Sequence, residues 1–365
     1  MKRVAVTGIG MIDTLGNNLT DCSNAMYNLP FKEPIAYSDC PVDTFKPQKV
    51  FPVTSELELP DVHPKVLRTF DANIKYGLHA VHQALNDSGV NQSKNVAVIA
   101  SNVTSGDENM FSSMKDLWEV GRLRRPRNFL AGMKDFFPGF IAQHWGFEGP
   151  NTAMNAACAT SLFSLDYATT FVERYDYVVC ASSDDPIQTL PISLFSGLGA
   201  VGTVSDPFGP NRDGLIPGAG AACFILESEE KAIARDAKVY AWLYPVGFGS
   251  DAYAATAPNP EGTGAKAAMN MATEVFNKMQ IEFVSAHGTS TPAGDEVELN
   301  AIRELFGDIE IVAPKKHLGH TMGTCGLLEA AYGVAKCQRE NKKVFLNNSF
   351  GFGGKCASQV VEVNL

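Results

Sequence analysis

No run of about 18 apolar residues occurs in the chain, so no segment reads as a transmembrane helix. The N-terminal apolar stretch is short, broken by glycine and stopped at Asp13, unlike a signal peptide. Positive charge is in deficit. Lys and Arg number 30 against 40 Asp and Glu, a formal net charge of −10. Nucleic-acid binders carry a basic footprint, and the chain as a whole has none. Cysteine is sparse: eight residues in 365, with no C-x-x-C pair. That excludes a disulfide framework and leaves a structural zinc site unsupported. A cytoplasmic protein with reduced thiols is the expectation. The G-x-S-x-G elbow, the Walker A lysine motif and H-E-x-x-H are all missing.

What remains is a globular composition, 45% hydrophobic and 19% charged, enough for one large domain or two fused halves. Lys2–Gly8 reads as a strand entering a glycine turn at Gly8 and Gly10. Residues 28–64 are proline-rich and read as surface loops. Helical spacing runs over 66–86, with a stop at Gly89, and again over 136–145. Apolar strands are expected at 95–100, 177–181 and 221–226, followed by a charged helix at 227–238. From about Lys238 the pattern restarts: strand 239–246, a glycine turn, helix 264–279, strand 281–286. Such alternation argues for an α/β protein, and strands apolar throughout fit sheets covered on both faces. The similar strand and glycine-turn openings of the two parts suggest a distant duplication. Gly197–Gly202 fits G-x-G-x-x-G, but the preceding PISLFS is a poor strand, so a dinucleotide site is not supported.

Four segments carry the chemistry. In NAACATS, Cys158 sits among small residues ahead of an apolar helical run. A cysteine at a helix start feels unpaired N–H groups, which is expected to lower its pKa and make a nucleophile. Taken alone, it is as well explained as a buried core thiol. In AHGTSTPAGD, His287 ends a strand and enters a polar turn, where α/β sites gather. In KKHLGHTMGTCGLLE, Lys315 and Glu329 bracket His320 and need partners if buried. In NNSFGFGG, a glycine-rich loop with two aromatics could turn backbone N–H groups into a cavity, or be a plain hairpin.

These segments, in this order, resemble the β-ketoacyl-acyl-carrier-protein synthases, the condensing enzymes of type II fatty acid and polyketide synthesis. VAVTGIGMIDTLG, Arg212-Asp213-Gly214 and Gly249-Ser250-Asp251-Ala252-Tyr253 extend the resemblance over nearly the whole chain. It implies a thiolase-like fold: two duplicated βαβαβαββ halves, 1–237 and 238–365, in five α-β-α-β-α layers. By the same resemblance Cys158 takes an acyl chain as a thioester. His287 and His320 flank the malonyl thioester carbonyl. The N–H groups of Cys158 and Phe352 receive a second oxyanion. Lys315 supports the site near His320, and Glu329 belongs to the polar network behind it. Phe352 gates the acyl pocket, and Thr289, Thr291, Phe350 and Gly353 line the substrate path. No cofactor or metal is implied, because the thioester supplies the activation.

The implied partner is an acidic acyl carrier protein, which asks for a basic patch on an acidic enzyme. Lys65 and Arg68 open a helix matching a family docking helix; Arg122, Arg124, Arg125 and Arg127 form the densest basic cluster. A homodimer, or a heterodimer with a chain-length partner, is also implied. The chain departs from the family in four places. Pro314 precedes Lys315, Lys355-Cys356 follows the glycine loop, Asp206 leads the Pro-Phe pair, and the segment from Glu329 to Asn347 is short. These departures favour a specialised pathway. Two alternatives stay open: a silent chain-length partner, and a CoA-dependent thiolase-like enzyme using Cys356.

Overall fold

The computed structural model describes residues 3–37, 48–104 and 106–365. Lys2 and Cys40 lie outside them. β1 (Val4–Ile12) leads to α1 (Leu19–Asn28). Among the described residues, β2 (Ile35–Tyr37) and β3 (Gln48–Val50) form a separate two-stranded sheet. Next come α2 (Pro64–Leu67), α3 (Ala72–Ser88), β4 (Val96–Ser101), α4 (Asp107–Val120), α5 (Pro126–Ala131), α6 (Phe136–Trp145) and β5 (Asn151–Thr152). Then follow α7 (Thr160–Thr169), β6 (Tyr177–Asp184), α8 (Thr189–Gly197), β7 (Gly220–Ser228) and α9 (Glu229–Ala234). The remainder holds β8 (Ala241–Leu243), β9 (Gly247–Ser250), α10 (Thr263–Thr273), β10 (Phe283–Ser285), α11 (Pro292–Phe306) and β11 (Glu310–Val312). It closes with α12 (Lys315–Leu318), α13 (Cys325–Glu340), β12 (Val344–Gly351) and β13 (Lys355–Val363).

One pairing scheme occurs twice. β1 runs antiparallel to β7, β7 antiparallel to β6, β6 parallel to β4, and β4 parallel to β5. Likewise β8 runs antiparallel to β13, β13 antiparallel to β12, β12 parallel to β10, and β10 parallel to β11. β8 also pairs with β1, which joins the two sheets along one edge. α7 and α13 pack between the sheets, with α3 outside one and α10 outside the other, giving five layers. β4, β6 and β7 are buried along their whole length, as their unbroken apolar runs require.

The strand at the N-terminus does not turn at Gly8 and Gly10; it continues to Ile12. Those glycines instead let α3 lie directly on β1. A Cβ on Gly10 would run into the Ala80 carbonyl, and one on Gly8 into that of Ala84. The device repeats where Gly247 and Gly249 meet the carbonyls of Ala268 and Gly264 at α10. The expected helix over 66–86 is two helices, because the chain breaks at Arg68–Asp71 and Asp71 takes an extended backbone as N-cap of α3. The charged helix expected at 227–238 is shorter. β7 runs to Ser228, whose hydroxyl accepts from Lys231 N–H and starts α9 only there. PISLFS belongs to α8, so Gly197–Gly202 leaves a helix and lacks the strand a dinucleotide site needs.

Gly10→Ala should push α3 off β1 and cost about 1–3 kcal/mol. Thermal and urea unfolding will show a lower midpoint. An unchanged midpoint would contradict the close helix–strand packing.

Candidate active site

The nucleophile candidate sits on a sharp elbow. Ala157 has φ 51°, a left-handed backbone that costs a non-glycine residue about 1–2 kcal/mol. Ala is the smallest side chain that can stand there apart from glycine. α7 begins two residues after Cys158, behind Ala159 as its N-cap. The Cys158 carbonyl accepts from Ser349 Oγ at 2.9 Å and from Cys325 Sγ at 3.2 Å. The glycine-rich loop is the tip of the β12–β13 hairpin, so the plain hairpin and the functional loop are one structure. The hairpin closes onto the elbow at Gly351, where a Cβ would lie 2.7 Å from Ala156 O and 3.0 Å from Cys158 N. That approach sets the Phe352 N–H, together with the N–H of Cys158 itself, against the sulfur.

His287 follows β10. The four N–H groups of His287–Ser290 are taken by two carboxylates of α11. Glu298 accepts from His287 and Gly288 at 2.8 Å each, and Asp295 accepts from Thr289 at 2.9 Å and Ser290 at 3.1 Å. His320 follows α12, after Gly319 with φ 69°. Its backbone is tied to Ile216 O at 2.7 Å and Gly218 N at 3.0 Å. The two imidazoles meet edge to face, centroids 5.4 Å apart.

Hydrogen bonding fixes both tautomers. Met322 N–H donates to His320 Nδ1 at 3.1 Å. The Lys315 ammonium lies 3.2 Å from His287 Nδ1, 2.6 Å from His287 O, and against Glu329 Oε1. Three acceptors for three ammonium hydrogens assign the positive charge to Lys315. In both rings Nδ1 accepts, so Nε2 carries the proton. Burial holds both imidazoles well below their ordinary pKa, reinforced by Lys315 and, for His287, by His320. They are neutral donors at neutral pH. Burial pushes the Glu329 carboxyl up, and the Lys315 ammonium pulls it back down. His287, Cys325 and Glu329 are close enough together to suggest a metal site, but the Lys315 ammonium bonds to both His287 and Glu329.

A cavity of about 430 Å³ opens over this group. Cys158, His287, His320 and Phe352 line it, and so do Thr289, Thr291, Phe350 and Gly353. Lys315 and Glu329 stand behind it, buried and paired. The Phe352 ring lies 6.4 Å from Phe195 in a small apolar cluster with Leu215 and Met322. Lys65, Arg68, Arg122, Arg124, Arg125 and Arg127 are all exposed. Lys65 lies on the four-residue α2 and Arg68 at its end; neither opens the long helix expected there. α4 links the two basic segments. Its Asn109 donates to Thr69 O at 3.0 Å, and the arginines follow its far end.

Sequence reasoning missed Glu298, Asp295, Ser349, Cys325, Met322 and Asp184. Acids in the first turns of a helix look alike whether solvated or clamping a loop. The Met322 contribution is a backbone N–H and leaves no trace in side-chain identity.

A β-ketoacyl synthase N-terminal domain profile matches residues 1–232, and the matching C-terminal domain profile covers 240–342. A 3-oxoacyl-[acyl-carrier-protein] synthase 2 of Staphylococcus aureus (strain COL) is 32% identical over 356 residues, covering 91% of this chain and 84% of its own. Among solved structures, a β-ketoacyl synthase from Burkholderia phymatum STM815 superposes with TM-score 0.90 at 23% identity, and both chains are fully covered. The ketosynthase and acyl-carrier protein complex of a type II polyketide synthase, AntDE:AntF, gives TM-score 0.89 at 22% identity, again over both full chains. The fold is the thiolase-like α/β fold of these proteins.

One expectation is overturned. The N–H groups ahead of α7 favour the thiolate, but the net shift of Cys158 is upward. Burial pushes the thiol up to about 11, and Asp184 adds to it, against Lys315 and the Phe352 N–H. Desolvation of a thiolate outweighs a helix terminus. The neutral thiol is the dominant form near pH 7. Alkylation of Cys158 by iodoacetamide should therefore rise about tenfold per pH unit from pH 7 to 10. A plateau reached near neutrality, measured by intact mass, would contradict the buried neutral thiol.

Proposed function

The chain belongs to the β-ketoacyl synthase family, and on that premise we propose that it condenses an acyl group held on Cys158 with malonyl-acyl carrier protein. The carrying observation is geometric. One cavity collects a thiol with two N–H donors at its sulfur and two imidazoles that each present an Nε2–H.

The first half-reaction exchanges thioesters. Cys158 sulfur bonds to the acyl carbon, the pantetheine sulfur leaves, and the Cys158 proton ends on the released thiol. The N–H groups of Cys158 and Phe352 stabilise the tetrahedral oxyanion. In the second, the malonyl C–C bond to the carboxylate breaks, carbon dioxide leaves, and the electron pair moves onto the thioester oxygen. Neutral His287 and His320 stabilise that enolate by hydrogen bonds, without transferring a proton. The enolate carbon attacks the acyl-Cys158 carbonyl. The new C–C bond forms, Cys158 leaves as thiolate, and one proton from water restores the thiol. The product is a 3-oxoacyl-carrier protein. Both steps are thioester chemistry and call for no cofactor.

The exposed arginines and Lys65 and Arg68 would receive an acidic carrier protein. Residues 1–237 and 238–365 would be the two duplicated halves, a reading supported by the repeated strand pairing. Phe111, Met114, Leu117 and Trp118 leave an apolar strip exposed on α4, which favours a dimer, with itself or with a chain-length partner. Reduced cysteines favour a cytoplasmic setting. No helix among the described residues is long and apolar enough to cross a membrane. The silent-partner reading is disfavoured by the intact Cys-His-His-Lys set. The thiolase reading needs Cys356, which lines the same cavity, as acid and base, and Cys356→Ala decides it.

Intact-mass analysis with a panel of acyl-carrier proteins, followed by malonyl-carrier protein, tests the proposal. Wild type should gain one acyl group and then yield 3-oxoacyl product. Cys158→Ala should gain none. His287→Ala and His320→Ala should still be acylated but lose condensation by about 100-fold or more. Cys356→Ala should keep activity. A folded wild type that takes no acyl group from any donor would overturn the reading.

A further inference from the structure

Asp184, the last residue of β6, is a fully buried carboxylate beside the site. Its Oδ1 accepts from Val103 N at 2.8 Å, Thr104 N at 2.7 Å and Thr104 Oγ1 at 2.8 Å. Its Oδ2 accepts from Thr324 Oγ1 at 3.2 Å, and Ser182 Oγ stands 3.1 Å from the same hydroxyl. Three donors on one oxygen and Lys134 favour the ionised acid, against burial, which is the larger effect and raises its pKa.

Thr324 closes the Met322–Thr324 turn. Met322, with φ 48°, is strained there, and its N–H is the group that fixes the His320 tautomer. Gly323 fits because a Cβ would lie 3.0 Å from Thr160 Cβ and 3.1 Å from Asp184 Oδ2. Strain of this kind persists only where neighbours over-determine it, and the Thr324–Asp184 bond is one such tie.

We propose that Asp184 is a positioning residue: its carboxylate clamps the turn after His320 to the ends of β4 and β6, and so holds the His320 Nε2–H in place as a donor. The inference rests on the condensation reading for its consequence in catalysis, though not for its geometry. A second consequence follows from charge. Asp184 opposes ionisation of Cys158, while Lys315 favours it; the neutral His287 and His320 and the thiol of Cys325 complete the surroundings. Lys134, which donates to Val103 O at 2.7 Å, faces Asp184 from the other side.

Two variants separate the roles. Thr324→Val removes the clamp and keeps the charge; Asp184→Asn removes the charge. In Thr324→Val the histidine ¹⁵N spectrum should show His320 losing its single Nε2–H form. Cys158 alkylation should keep the wild-type pH profile. Acylation should stay within about twofold of wild type while condensation falls about tenfold or more. In Asp184→Asn, condensation should fall as well and the alkylation profile should move to lower pH. A purely structural role would lower the melting temperature and both half-reactions together, with the His320 signal unchanged, and would overturn the proposal. So would a wild-type His320 signal in a folded Thr324→Val. If wild type takes no acyl group, the condensation reading fails, and the spectrum and the alkylation profile still decide the role of Asp184.

Discussion

The site depends on one buried ammonium. Lys315 is almost wholly shielded from water, yet Glu329 and both acceptors of His287 surround it. Removing one partner of such a pair leaves the other charge stranded, at about 3–5 kcal/mol. The arrangement therefore fixes the position of α12 relative to α13 and of the His287 loop relative to both. The same cation orients His287 through Nδ1 and, with burial, keeps both imidazoles uncharged. A charged imidazole would be a stronger donor, but it would also stabilise the malonyl carboxylate that must leave. Neutral donors respond most where charge develops, at the enolate oxygen.

The fold brings these groups together from distant stretches of chain. Cys158 comes from the loop before α7, and the histidines from loops after β10 and α12. α7 and α13 occupy the same central layer, and their N-terminal ends meet where Cys325 Sγ reaches the Cys158 carbonyl. Gly10 and Gly249 set the helix-to-sheet distance on the outer faces, and Gly351 sets the approach of the hairpin to the elbow. Backbone proximity, more than side-chain choice, aims the Phe352 N–H. A neutral resting thiol follows from the same burial.

Much of this was legible in the sequence. Apolar runs at 177–181 and 221–226 marked central strands, and Cys158, His287, Lys315, His320 and Phe352 lie together as the motif order implied. The misreadings share a physical cause. Gly8 and Gly10 looked like a turn because glycine is ambiguous between turn and close approach. Cys158 looked acidified because a helix start is visible in sequence and desolvation is not. Asp184 acts through backbone N–H groups far along the chain, Asp295 and Glu298 through those of the loop just before their helix, and side-chain identity records neither pairing.

The most direct test of the central claim is the protonation state of the two site imidazoles. Histidine-selective ¹⁵N labelling resolves Nδ1 and Nε2 for each of the seven histidines. The account predicts neutral rings protonated at Nε2 for both His287 and His320 from pH 6 to 8, and loss of that single form at His287 in Lys315→Met. An imidazolium at either position, or a proton on Nδ1 in the wild-type protein, would contradict it.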